Sequence, residues 1–154
     1  MSILIGQYYG KSLTSRAISL KTWSPISHTS AFLPGGEEVV EAWGKGVVRR
    51  PWREGHTTGT RIDLLECRCS PDQAQSFYLF LFDQIGKGYD FRGIMGFAFS
   101  AEMQSKDRWF CSELVFAAAI HAGIILLERV PAHKVSPGLI HYSPVLKFLK
   151  TIEV

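Results

Sequence analysis

Two hydrophobic periods alternate along this 154-residue chain. "SILIGQYYG" (2–10) opens with a short apolar run that predicts a strand. "KSLTSRAISLKTW" (11–23) then sets Leu13, Ala17 and Leu20 at helical spacing and predicts a short helix that Pro25 stops. In "SHTSAFLPGGEEVVEAW" (27–43) two strand-like runs flank Pro34, Gly35 and Gly36, which supply turn chemistry, so a β-hairpin is expected. "TRIDLLECR" (60–68) is a further strand. "SPDQAQSFYLFLFDQIGKG" (70–88) is the best-marked helix: Ser70 caps it, Pro71 fits its first position, and Gln73 completes a capping box. Phe77, Phe80, Leu81 and Gln84 make its packed face, and Gly86 or Gly88 ends it. A glycine-rich segment, "GKGYDFRGIMGF" (86–97), leads to a second apolar helix that carries Cys111, begins near Ser105 or Asp107, and ends or bends at Gly123. "VPAHKVSPGLI" (130–140) reads as structural, and "SPVLKFLKTI" (143–152) as a last short helix. Strands gathered early and helices late predict one α+β domain spanning residues 1–154.

Composition narrows the class. Hydrophobic residues make up 46% and charged residues 20%, enough apolar material for a real core. The net charge of +3 is mild, and its densest cluster, "VRRPWR" (48–53), reads as a solvated loop, with a patch for an anionic ligand as the alternative. No basic stripe interleaves with stacking aromatics, so no nucleic-acid partner is expected. "GKGYDFRG" lacks the Lys-Ser/Thr ending of a phosphate loop, which removes nucleotide binding. The longest apolar run, 114–127, is interrupted by His121 and Gly123 and is too short to span a bilayer. The N-terminus has no secretory pattern, and three cysteines give no even disulfide framework; a reducing, cytoplasmic setting is the expectation, with export by another route as the alternative. Cys67 and Cys69 point to one face of a strand end, without zinc spacing, and neither metal nor cofactor is expected.

The informative stretch is "RWFCSELVFAAAIHAG" (108–123). It sets Cys111 near a helix start, where unpaired N–H groups and the helix dipole favour a thiolate. A buried core thiol is the alternative. A nucleophilic thiol wants a base, and there are five histidines. His121 sits on the same helix about 15 Å along its axis, too far to touch. His56 lies in a loop with no visible partner, and His133 and His141 lie in the Pro-containing tail. His28 begins a strand, and the hairpin offers it a partner. With a four-residue turn at 34–37, Leu33 pairs with Glu38 and Ser30 with Glu41, so Glu41 is a diagonal neighbour on the face of His28. A carboxylate there would hold the imidazole tautomer.

"SHTSAFL", "VVEAW.KGV", "GYDF" and "WFCSELV", in that order, resemble the circularly permuted NlpC-type papain-like cysteine hydrolases, the YiiX/YebB-like group; lecithin:retinol acyltransferase is a more distant relative of the same arrangement. The resemblance covers about residues 3–140. It implies a papain-like α+β core in which an antiparallel sheet carrying the histidine strand packs on the cysteine helix. It implies Cys111 as nucleophile, His28 as general base, Glu41 as the residue that orients it, and Tyr89 near the nucleophile, binding or polarising the substrate carbonyl. Tyr8 and Trp43 are further candidates for the substrate groove, with core packing as the alternative. The group often opens with Gly-Asp; here the pair is Gly6-Gln7. The expected activity is cleavage of an amide in a peptide, such as a cell-wall peptide, or in another acyl-amide substrate, through an acyl-enzyme. Acyl transfer or thioester cleavage on lipid-linked acyl groups is the alternative, as is a non-catalytic binding module on the same fold.

Overall fold

A computed structural model describes residues 1–90 and 107–154. Ser105 and Phe91–Phe97 of the glycine-rich segment lie outside these described residues. The strands are β1 (Ser2–Tyr9), β2 (His28–Phe32), β3 (Glu38–Trp43), β4 (Gly46–Pro51), β5 (Arg61–Arg68) and β8 (Leu146–Glu153), with short β6 (Gly88–Tyr89) and β7 (Arg108–Trp109). The α-helices are α1 (Leu13–Thr22), α2 (Pro71–Asp83), α3 (Cys111–His121) and α4 (Pro137–His141). The six longer strands form one antiparallel sheet in the order β4-β3-β2-β1-β5-β8, and β6 pairs with β7 in parallel.

Strand alternation gives the sheet two different faces. Ile3, Ile5, Ala31, Val40 and Ala42 face α2 and α3 and form the larger core with Phe77, Leu81, Leu114 and Val115. Tyr8, Phe32, Val39, Ile62 and Leu64 face the other way and pack with Trp52. The link from β4 to β5 covers that second face. Those strands flank β3, β2 and β1, so residues 52–60 must cross three strands, roughly 19 Å of sheet.

The capping box of α2 is complete, with Ser70 Oγ accepting from the Gln73 N–H and Gln73 Oε1 accepting from the Ser70 N–H. Two expectations change. α3 begins at Cys111 itself with Phe110 as its N-cap, because 108–109 are held as a strand beside β6; Asp107 precedes that strand. Residues 146–153 form β8 rather than a helix. The outer edge of β5 presents a row of free backbone groups, and pairing them from Arg61↔Glu153 to Cys67↔Leu146 outweighs the local helical spacing.

One glycine fixes a close approach. Gly46 has φ +115°, and a Cβ there would strike the Lys87 carbonyl oxygen, which accepts from the Val47 N–H at 2.8 Å. This contact ties the start of β4 to β6 and thereby places Tyr89.

Candidate active site

The β2–β3 hairpin sets the first half of the site. Ala31↔Val40 and Phe32↔Val39 pair, the register that a four-residue turn dictates, and Leu33 N–H donates to the Glu38 carbonyl at 2.8 Å. His28 and Glu41 therefore share a face, and His28 Nε2 lies 2.5 Å from Glu41 Oε2. The other carboxylate oxygen, Oε1, accepts from Arg50 Nε at 2.6 Å and lies 2.5 Å from Nη2. The sequence-based view of 48–53 as a solvated loop is thus corrected. Residues 48–51 belong to β4, and strand alternation aims Arg50 at the buried carboxylate while Arg49 pairs with Glu38 outside.

His56 arrives from the crossing loop, with Nε2 3.5 Å from Glu41 Oε2. Its ring lies 4.5 Å from Tyr8, 5.2 Å from Trp43 and 5.5 Å from His28. Reading the chain alone gave His56 no partner, because the partner is supplied by strand order. The fully buried Tyr8 stands edge-on to His28 at 5.0 Å and hydrogen-bonds Ser30 Oγ at 2.9 Å. Trp43, partly exposed, meets the imidazole from the other side at 4.9 Å.

Burial alone would raise the Glu41 carboxyl, but His28, His56 and Arg50 outweigh it and hold it well below the usual carboxylate range. Burial lowers His28 further than Glu41 raises it, so the imidazole is neutral at neutral pH.

Cys111 approaches from the helical face. It is the first residue of α3, and Glu113 Oε2 accepts from the preceding Phe110 N–H at 3.4 Å. Ser112 Oγ ties the same turn to the Val135 carbonyl. The β2–β3 ladder stops at Ala31↔Val40, and toward His28 and Trp43 the strands part. There the backbone N–H of Thr29 points at the Cys111 sulfur, joined by those of Ser112 and Cys111 itself. Burial pushes the thiol up to about 12, with the Glu41 charge adding to it and the three N–H groups opposing it. Among the described residues, no hydrogen bond joins the sulfur to the His28 ring. The thiol meets the amide of the residue that follows His28.

Two more polar groups border this gap. Tyr89 is buried, and burial and the neighbouring Cys111 both raise its hydroxyl. Gln7 is fully buried, pairs across the sheet with Thr29, and has no partner for its Nε2. Cys67 is buried and Cys69 partly so, both as free thiols at the larger core.

No protein-family description and no curated protein matches the chain. Among solved structures it is similar to the metalloprotein YiiX from Escherichia coli O157:H7 (DUF1105), with a TM-score of 0.70, 22% identity, and coverage of 97% of this chain and 96% of that one. At that identity the likeness carries the fold: this α+β chain, with its mostly antiparallel sheet, is built like YiiX over nearly its whole length.

Proposed function

We propose that the chain is a cysteine hydrolase that cleaves an amide bond through an acyl-enzyme. One observation carries the reading: a helix-start thiol takes the backbone N–H of Thr29, next to a histidine whose Nε2 is held by a buried carboxylate. His28 and Cys111 both rest neutral, which favours general-base catalysis over a preformed ion pair. Glu41 engages Nε2, so Nδ1 is the nitrogen left to take the thiol proton as sulfur attacks the carbonyl carbon. The Thr29 N–H steadies the sulfur while charge grows on it. The Cys111 N–H and the unpartnered Gln7 Nε2 receive the oxyanion. His28 then gives its proton to the leaving amine, and water releases the acyl group from sulfur. Capture by an amine or alcohol in place of water would make the same site an acyltransferase.

The test is acyl-enzyme trapping with peptide aminomethylcoumarides and p-nitrophenyl esters, read by peptide mass. The expected result is an acyl mass on the peptide containing Cys111, lost in Cys111→Ala and in His28→Ala. Acceptor amines that divert the product would assign transfer. Turnover that persists in Cys111→Ala would overturn the reading.

A second reading is favoured by one cluster and by the description of YiiX as a metalloprotein. The ligand atoms of His28, Glu41 and His56 lie within 4.8 Å of one another, and His56 Nε2 faces Glu41 Oε2 at 3.5 Å without a well-formed hydrogen bond. Two imidazoles and a carboxylate suit zinc. The spacing of His28 and Glu41 is that of a hydrogen-bonded pair, and Arg50 already occupies Oε1. A divalent ion would therefore displace the proton between His28 and Glu41 and silence the base. Cobalt titration reads this directly: visible d–d bands that vanish in His56→Phe support the site, and their absence removes it.

A further inference from the structure

α1 is amphipathic in reverse. Its buried positions are Ser15 and Ile18, whereas Leu13, Ala17 and Leu20, the stripe that predicted the helix, face solvent. Leu13 is 84% exposed and Leu20 76%. Trp23 caps the helix in the left-handed region at φ 52° and is 93% exposed as a residue. A tryptophan there carries a conformational cost that glycine avoids, and it hides nothing from water. Trp23 shares a groove with Leu139 and Tyr142 of the α4 segment, so the apolar surface continues from one helix to the next.

The two chain segments that build this surface carry charge of one sign. The chain has no acidic residue before Glu37, but it has Lys11, Arg16 and Lys21. Between Glu128 and Glu153 it again has none, but it has Arg129 and Lys134, and Lys134 lines the groove together with Lys21. Apolar side chains raised beside the paired lysines of the groove match an interface with acyl chains below and phosphates at its level. Among the described residues, no helix is long and apolar enough to cross a membrane.

We infer that the α1–α4 face docks on an anionic lipid bilayer, with Leu13, Leu20 and Trp23 entering the acyl boundary and Lys21 and Lys134 meeting lipid phosphates. The face also has a place relative to the site. α1 is the link between Tyr8 and His28, and Trp23 is five residues from His28, at most about 17 Å along the chain. Docking does not depend on the hydrolase reading, since it needs neither Cys111 nor His28.

The experiment is sedimentation of the whole chain with large vesicles of phosphatidylcholine, with or without phosphatidylglycerol. Binding is expected only with phosphatidylglycerol, weakened about tenfold or more by the pair Leu20→Ser and Trp23→Ser, and similarly by the pair Lys21→Glu and Lys134→Glu. Leu20, Trp23 and Lys134 are exposed and Lys21 is half-buried, and unchanged circular dichroism and melting will show that the fold is intact. Brominated acyl chains should quench the fluorescence of Trp23, and Trp23→Leu should abolish that component. Cys111→Ala should bind as the parent does. Failure to bind anionic vesicles overturns the inference. So does binding that the Leu20→Ser and Trp23→Ser pair leaves unchanged. Equal capture by heparin, again insensitive to that pair, would mark the face as a site for a soluble polyanion instead.

Discussion

His28 and Glu41 lie on neighbouring strands of one hairpin, and the 2.5 Å contact between Nε2 and Oε2 commits that ring nitrogen. The free nitrogen and the tautomer follow from it. Glu41→Gln keeps the shape but removes the charge that selects the tautomer. The expected loss in kcat/KM is about a hundredfold to ten-thousandfold, measured on whichever substrate acylates Cys111. An undiminished rate would remove Glu41 from the mechanism.

Stability should fall with acid in two stages. The His28 pKa is lowered from 6.5, so below that value the unfolded chain binds a proton that the folded one refuses. The Glu41 pKa is lowered from 4.5; its contribution is complete above that value and is lost as pH falls toward the folded one. Both act in the same direction. Urea midpoints across this range should drop steadily in the parent, and the second stage should disappear in Glu41→Gln.

Much of this arrangement is legible in the chain. Pro34 to Glu37 fix the turn, and the turn fixes the facing of His28 and Glu41 by arithmetic alone. The cap of α2 is equally local. His56 and Arg50 are not legible in the same way. His56 reaches Glu41 only because β4 and β5 are separated by three strands, and strand order is a property of the whole sheet. β8 fails for the related reason that its partner lies some 85 residues upstream and its own pattern is helical. α1 is the instructive case: its spacing predicts the helix correctly, but the stripe that marks it faces water.

Thiol reactivity separates a resting thiol from a preformed thiolate. Burial raises Cys111 to about 12, whereas Cys69 is only partly buried. Near neutral pH, iodoacetamide should label Cys69 at least about tenfold faster than Cys111 in the absence of substrate. Faster labelling of Cys111 at mildly acidic pH, dependent on His28, would mean that the ion pair exists before substrate arrives.

Arg50 makes two contacts with one oxygen of a buried carboxylate. Arg50→Ala should cost about 1.5–3 kcal/mol in urea denaturation, the range for hydrogen bonds to charged groups. Arg50→Lys should recover part of the stability, since an ammonium restores charge without the planar fork.

Gln7 allows activity and stability to be told apart. Its Nε2 is buried without a partner and its Oε1 accepts only a long bond from the Thr29 hydroxyl at 3.5 Å, so Gln7→Met should change the melting temperature little. If that amide receives the oxyanion, kcat should fall by about a hundredfold with little change in KM. Equal activity in Gln7→Met would leave the Cys111 N–H as the donor.

The four-residue turn at 34–37 also carries information that no side chain in it holds. Inserting or deleting one residue there would leave two apolar runs free to pair again, one step out of register. The core face would then receive Glu41, and the imidazole of His28 would look across at Val40 or Ala42. Loop length, elsewhere the most tolerant variable in a protein, acts in this hairpin as a switch on the chemistry. A library varying only the number of residues between Leu33 and Glu38 should lose function at every odd step.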